Sequence, residues 1–305
     1  MDPAPAEAKP HSAEFFNEMR DHWWHADFLE LMAKRLALGE VRRVLDVGCG
    51  VGHWSRSLAP VLSPEATVVG IDREPRWVKE AGEAAARLGL QPRFTYRQGD
   101  AFALPFDDGV FDFVTCQTVL IHLSDAVAGL REMLRVVKPG GLVLAAEPSN
   151  MAQVAVFSSV TDTFPTADVA DMLRFHLTLQ RGKRASGQGF NSVGDLLPGL
   201  FASLGFADIR VCMNDRASPM FPPYSRPAQR AEREQVRDWH RRGHWVWQRD
   251  ETLRHFLAGG GDEAEFERLW QQAGRQMELE LAAMDAGTYH CGGAGVTYLV
   301  SGRKP

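Results

Sequence analysis

The sequence predicts an α/β chain built on a doubly wound, mostly parallel sheet, and three observations carry that expectation. The run Val44-Leu45-Asp46-Val47-Gly48-Cys49-Gly50-Val51-Gly52 opens like a buried strand and then breaks into three glycines at alternate positions. A second apolar run, Thr67 to Ile71, ends at Asp72, twenty residues after Gly52. That is the separation at which an acid meets a ribose diol. Strand-like and helix-like segments then keep alternating, which implies a parallel sheet with helices on both faces.

The first βα turn is the centre of the arrangement. His53 to Leu58 has helical length before Pro60, so strand, glycine loop and helix follow in the order of a nucleotide-binding turn. Glycines let a ligand approach the backbone with no Cβ in the way, and the helix start aims amide N–H groups at an anionic group. Asp46, two residues before the first glycine, is a carboxylate that a dinucleotide turn does not need.

The remaining elements follow in chain order. Met1 to Ser12 is rich in Pro and Ala without an apolar core, so it reads as a loose tail rather than a signal peptide. Ala13 to Leu38 reads as a helix with Phe15, Met19, Trp23 and Ala26 on one face, which either packs on the core or folds over the ligand. His22 and His25 read as surface or packing residues. Pro75 and Gly89 bracket a helix, and Arg93 to Arg97 is a short strand leading into Gly99-Asp100. Phe111 to Cys116 is the fourth strand, ending at Gln117. Ser124 is expected to cap a helix over Asp125 to Val137, and Pro139-Gly140-Gly141 turns the chain into a fifth strand, Leu142 to Ala146. Beyond it, Asp168 to Gln180 looks helical and Arg181 to Gly189 looks like a flexible basic loop. Ser192 and Asp195 have the spacing of a capping box, ahead of a sixth strand at Ile209 to Cys212 and a last one at Val296 to Ser301. Ligands of such sheets bind beyond the carboxyl ends of the strands, so Gln117, His122, Glu147 and Asn150 should face the chemistry.

In sum, Asp46-x-Gly48-x-Gly50-x-Gly52, Gly70-Ile71-Asp72, Gly99-Asp100-Ala101 and Lys138-Pro139-Gly140-Gly141 resemble the class I S-adenosylmethionine-dependent methyltransferases. Leu104-Pro105-Phe106-Asp107-Asp108-Gly109-Val110-Phe111-Asp112 is similar to their small-molecule branch (methyltransferase type 11), which includes quinone-biosynthesis C-methyltransferases. The likeness is strong over about residues 41–150 and loose over 191–216. It implies a Rossmann-like methyltransferase fold of seven strands with an antiparallel last strand, and S-adenosyl-L-methionine as cofactor. It also implies the cofactor residues: Asp46 at the methionine amino end, Gly48, Cys49, Gly50 and Gly52 in the loop, and Asp72 on both ribose hydroxyls. Arg73 would lie along the adenine, Asp100 and the Ala101 amide would meet its edge, and Gln117, at the end of the fourth strand, is a further cofactor-binding candidate. Asp100 taken alone also reads as a turn cap.

The expected organisation is a single domain over 1–305. It comprises a cap helix (13–40), a cofactor core (41–150), a first insertion (151–190), core again (191–216), a second helical insertion (217–291) and the last strand (292–305). An antiparallel seventh strand starts where the sixth ends, so the second insertion must leave from and return to the active-site edge. With the first insertion and the cap helix it is expected to form a helical lid over a small enclosed substrate. Within it, Arg226, Arg230, Arg233, Arg237 and Arg241 fall on one helical stripe that is either a salt-bridged surface, given Glu232, Glu234 and Asp238, or an anion-binding wall. Trp239, His240, His244, Trp245 and Trp247 either form the lid core or line a pocket. Phe221-Pro222-Pro223-Tyr224 is similar to a motif of amino-directed DNA methyltransferases but stands far from the end of the fourth strand, so it reads as a Pro-rich entry to the lid.

Composition narrows the function. A net charge of −5 lacks the basic balance of a nucleic-acid binder, and four dispersed cysteines without a CxxC pair fit reduced thiols in a cytoplasmic protein. No apolar run reaches membrane-spanning length, no metal-ligand set is visible, and the oligomeric state is left open. The expected activity is transfer of a methyl group to O, N or C of a small-molecule metabolite or natural product. The rivals are a cofactor-binding enzyme with other chemistry, such as a cyclisation, and a cofactor-sensing binding protein. If the acceptor must lose a proton, the candidate bases are His290, Glu147 and His122, with Tyr289 as a hydrogen-bonding orienter; His290 with Tyr289 returns from the lid to the sheet and is the preferred pair.

Overall fold

A computed structural model of the chain describes residue 20 and residues 22–243, 247–293 and 295–305. Seven strands form one sheet: β1 (Arg43–Val47), β2 (Thr67–Asp72), β3 (Phe94–Gln98), β4 (Phe111–Gln117), β5 (Val137–Pro148), β6 (Ala207–Met213) and β7 (Thr297–Arg303). Their spatial order is β3-β2-β1-β4-β5-β7-β6. The first five run parallel, and β7 lies antiparallel to both β5 and β6. The order reverses between β1 and β4, which makes their carboxyl ends the switch point where ligands of such sheets sit.

The central strands bury both faces, as their unbroken apolar runs require. Leu45, Val47, Val114, Cys116, Val143 and Ala145 belong to a core that includes Leu130, Met133 and Val136 of α4 (Ala126–Val136) and Leu197 and Phe201 of α7 (Leu197–Ser203). Val44, Phe113, Leu142, Leu144 and Ala146 belong to a second core with Phe28, Leu29 and Met32 of α1 (Ala26–Leu36) and Trp54 and Leu58 of α2 (His53–Leu58). Helix α3 (Pro75–Arg87) packs beside β2 and β3.

A helical layer stands over the carboxyl edge. It consists of α5 (Asn150–Val154), α6 (Thr166–Ala185), α8 (Pro227–Arg241), α9 (Arg249–Ala258) and α10 (Glu263–Asp285). Helices α6, α9 and α10 share a small core in which the Phe175, Phe256 and Phe266 rings meet with centroids 5.2 to 6.0 Å apart.

Four local expectations need correction. Among the described residues the first α-helix begins at Ala26, so Trp23 and Ala26 do not share a helical face, and residues 13–19 and 21 lie outside those described. Asp125, not Ser124, caps α4, accepting the Ala128 amide at 2.9 Å. Ser192 stands at the start of a short 3-10 helix, Val193–Leu196, but forms no capping box: its hydroxyl donates to Gln180 Oε1 and accepts from the Met151 amide, while Asp195 accepts from Ser149. The stretch from Arg181 is no basic loop either, because α6 continues to Ala185. Tertiary contact holds it there. A Cβ on Gly182 would lie 1.6 Å from the His255 carbonyl oxygen, so only glycine lets α6 and α9 touch. Lys183 is buried, with Nζ donating to the Ile121 carbonyl at 2.9 Å and to Asn191 Oδ1.

Candidate active site

One cavity of ≈ 1090 Å³ runs from the switch point up between the helices of the layer. Pockets for a single small molecule span about 300–1,000 Å³, so this one lies at the upper end of that range. Its floor includes Gly48, Gly50, Asp72, Arg73, Asp100, Ala101 and Gln117, which are seven of the ten residues expected at the cofactor.

The glycine loop is shaped by what lies against it. Gly48 has φ +66°, and a Cβ there would fall 2.5 Å from Val119 Cγ2, so glycine allows the loop after β4 to close over the loop after β1. Asp72 ties the same loop to the second strand: Oδ2 accepts the Gly50 amide at 2.8 Å and Oδ1 the Glu74 amide at 2.9 Å. Its carboxylate is thereby fixed at the cavity edge, with lone pairs left for two hydroxyl donors. Burial pushes its pKa up, against the pull of those amides. Asp100 Oδ1 accepts the Phe102 amide at 2.9 Å, so Asp100 caps its turn and also lines the cavity. Arg73 lies at the rim, mostly exposed and near Glu74.

Asp46, Cys49 and Gly52 sit beneath the loop rather than on the cavity surface. The Cys49 amide donates to the Ile71 carbonyl at 2.9 Å, and burial pushes its thiol pKa well up. The Gly52 carbonyl accepts the Arg56 amide at the start of α2. Helix α2 has only six residues, and its Ser55 amide donates to Asp46 Oδ2 at 3.2 Å, so that helix start is engaged by Asp46. Asp46 is 1 % exposed, and burial pushes its pKa up to about 7. Its Oδ1 has no hydrogen-bond partner among the described residues. A buried carboxylate oxygen in this condition fits a cationic ligand group next to it, and the donor set as a whole fits an adenosyl cofactor with an amino-acid tail.

The four candidates for proton transfer separate cleanly. His122 and Tyr289 line the cavity. Glu147 does not, and the expectation that it could act as a base needs correcting. It is 0 % exposed, with Oε1 accepting the Val119 and Leu120 amides at 2.8 and 2.9 Å and Oε2 accepting the Ile121 amide at 3.3 Å. Burial nevertheless pushes its pKa up to about 7, the three amides opposing that rise. His290 is exposed and faces away, its ring against the Thr288 carbonyl and its amide on Ser159 Oγ. Neighbouring residues of an extended segment point to opposite sides, so Tyr289 and Cys291 reach the cavity and His290 does not. The Tyr289 backbone is held by the Tyr224 hydroxyl, which donates to its carbonyl at 2.9 Å. That bond, with Tyr224 buried, makes the Pro222-Pro223-Tyr224 stretch part of the wall behind the site.

The arginine stripe of α8 is a salt-bridged face. Arg233 and Arg237 both meet Asp285 of α10, Arg237 also meets Glu234, and Arg241 meets Asp238. None of the five arginines lines the cavity. Trp239 and Trp247 do line it, and Trp247 also belongs to the core of the helical layer; His240 is exposed, and His244 and Trp245 lie outside the described residues.

Sequence reasoning missed several cavity residues: Arg20, His176, Lys183, Gln276 and Glu280. Lys183 was masked by its basic neighbours. Gln276 and Glu280 had a legible signal, since they continue the Phe266, Leu269, Ala273 spacing of an inward helical stripe with polar residues. Among the described residues, no three His, Cys, Asp or Glu side chains are grouped to hold a metal ion, and no helix is long and apolar enough to cross a membrane.

The strand order, with its antiparallel last strand, is that of a class I methyltransferase architecture, and comparison with known proteins agrees on the fold. A family model described as a methyltransferase domain matches residues 39–186, just under half of the chain. Residues 39–186 are thus similar to a methyltransferase domain. The chain is 36% identical over 126 residues to the demethylmenaquinone methyltransferase of Anoxybacillus flavithermus, covering 41% of this chain and 51% of that one. It is 34% identical over 125 residues to the enzyme of the same name from Staphylococcus carnosus, again covering 41% and 51%. The chain thus spans about half the length of the curated relatives it matches. The crystal structure of the YcgJ protein from Bacillus subtilis superposes with a TM-score of 0.51 at 21% identity, covering 92% of this chain and 99% of that one, and so shares the fold.

Proposed function

We propose that this protein transfers a methyl group from S-adenosylmethionine to an O, N or C atom of a small molecule held beneath the helical layer. A single observation carries the reading. The cofactor-side residues at the switch point and the residues of α6, α8, α9 and α10 line one continuous cavity. The cofactor supplies a methyl made electrophilic by a sulfonium. The chain's own part is to position the acceptor behind that methyl and keep water away.

In this reading Asp72 accepts the two ribose hydroxyls, Asp100 and the Ala101 amide meet the adenine edge, Arg73 lies along it, and Gln117 closes the floor. Asp46 meets the methionine ammonium, directly or through water. The helical layer, 151–190 and 217–291, serves as a lid, which suits a metabolite-sized substrate and disfavours a polymer. His122 and Tyr289 touch the substrate.

The test is transfer of a labelled methyl from the cofactor into a metabolite extract. Label appearing in a small molecule supports the reading. Substrate converted with the cofactor recovered intact supports a non-transfer enzyme instead, and cofactor binding without any conversion supports a sensor.

A further inference from the structure

The inward stripe of α10 carries Phe266, Leu269, Ala273, Gln276, Glu280 and Met284 at helical spacing. Four of these are buried apolar residues, and Gln276 and Glu280 interrupt them at the cavity wall. Gln276 Nε2 donates to Glu280 Oε1 at 3.0 Å, which orients the carboxyl. A carboxyl on a buried stripe is costly unless something meets it.

The charges nearby leave Glu280 unbalanced. Arg20 sits in the field of Asp46, Lys183 in that of Glu251, and Arg216 in that of Glu232. Burial pushes the His176 pKa down to about 4, so that imidazole is neutral. Glu280 has its pKa raised by burial, opposed by the Gln276 amide, with no cation contributing among the described residues. Burial, with the Glu280 charge adding to it, pushes up the pKa of the Tyr289 phenol, and both residues line the cavity. Phe157, Phe164 and Trp239 supply apolar and ring surface to the same chamber.

A carboxylate with no ion pair among the described residues, in a cavity also lined by aromatic rings, matches a ligand that brings the cation itself. Building on the methyl-transfer reading, we propose that Glu280, oriented by Gln276 in the cavity that Tyr289 also lines, receives a protonated amine carried by an aromatic or otherwise apolar substrate and takes its proton. The ammonium proton passes to the Glu280 carboxylate, and the freed nitrogen lone pair forms the N–C bond. The C–S bond of the methyl breaks with its electron pair left on sulfur, and the proton then leaves Glu280 for solvent. Burial makes this carboxylate a stronger base than one in water, as that role requires.

Tryptamine, tryptophol and indole-3-acetate test the inference, since they place an ammonium, a hydroxyl and a carboxylate on one ring system. Binding of each is measured by calorimetry to the full chain saturated with S-adenosylhomocysteine. Tryptamine is expected to bind at least about tenfold more tightly than the other two, and Glu280→Gln is expected to abolish that preference while binding S-adenosylhomocysteine as the parent does. A preference for tryptophol or indole-3-acetate, no binding of tryptamine at millimolar concentration, or an unchanged ranking in Glu280→Gln overturns it. The ranking in the parent protein stands as a test even if the variant does not fold. Loss of S-adenosylhomocysteine binding by the parent protein would instead remove the cofactor reading beneath it.

Discussion

The Glu147 carboxylate at the end of β5 accepts the Val119 amide at 2.8 Å, and that bond sets the ceiling of the glycine loop. With the Leu120 and Ile121 amides on the same carboxylate, Glu147 folds the segment after β4 into a tight turn. Val119 is thereby pressed against Gly48, and Ile121 presents its carbonyl to Lys183 of α6. One buried acid so connects the sheet, the glycine loop and the helical layer.

Glu147→Ala should therefore act on stability first. It leaves three buried amides without an acceptor, at about 1–3 kcal/mol for each one left unsatisfied. Thermal unfolding should show a midpoint lower by several degrees, with cofactor affinity reduced as the Val119 turn loosens. A variant as stable as the parent would contradict the anchoring role.

Asp72→Ala removes a carboxylate that holds Gly50 and, in the proposed site, two ribose hydroxyls. Two charge-assisted hydrogen bonds are worth together about 2–5 kcal/mol. Affinity for S-adenosylhomocysteine should fall at least about tenfold with the sheet intact by circular dichroism. Unchanged affinity by calorimetry would remove Asp72 from the cofactor site.

Asp46 gives a pH dependence with a definite sign. Burial raises its pKa to about 7 in the folded chain, above the usual carboxylate value of 3.8. Between those values the folded state holds a proton that the unfolded state has lost, so this group's contribution to stability declines as pH rises from about 4 to about 7. A ligand ammonium favours the ionised form and expels that proton. Cofactor affinity should hence rise with pH up to about 7 and then level off, and calorimetry below pH 7 in buffers of differing ionisation enthalpy should register proton release. Binding without proton release would show that no cation reaches Asp46.

Gly182→Ala tests how the helical layer is assembled. The added methyl meets the His255 carbonyl, and such overpacking typically costs about 1–3 kcal/mol. Hydrogen exchange should accelerate in α6 and α9 while β1, β4 and β5 keep their protection. In the parent protein the same helices should gain protection on binding S-adenosylhomocysteine if they close as a lid; equal exchange with and without the ligand would argue for a fixed wall.

The glycine-loop half of this protein was legible in the sequence because each of its parts is local. A strand, a glycine loop and an acid twenty residues on occupy consecutive βα units, so spacing alone places Gly48, Gly50 and Asp72 at one edge. The arrangement beneath the helical layer was decided by tertiary structure. Whether Glu147 faces a ligand or three amides depends on how the loop after β4 folds back over it, and whether Tyr289 or His290 points inward depends on where an extended segment meets α10. Gly182 and Lys183 read as loop residues until the α9 backbone and the Ile121 carbonyl come to rest against them. Those contacts join residues more than sixty positions apart. Local propensity and periodicity carry no information about such contacts, because packing alone brings those residues together.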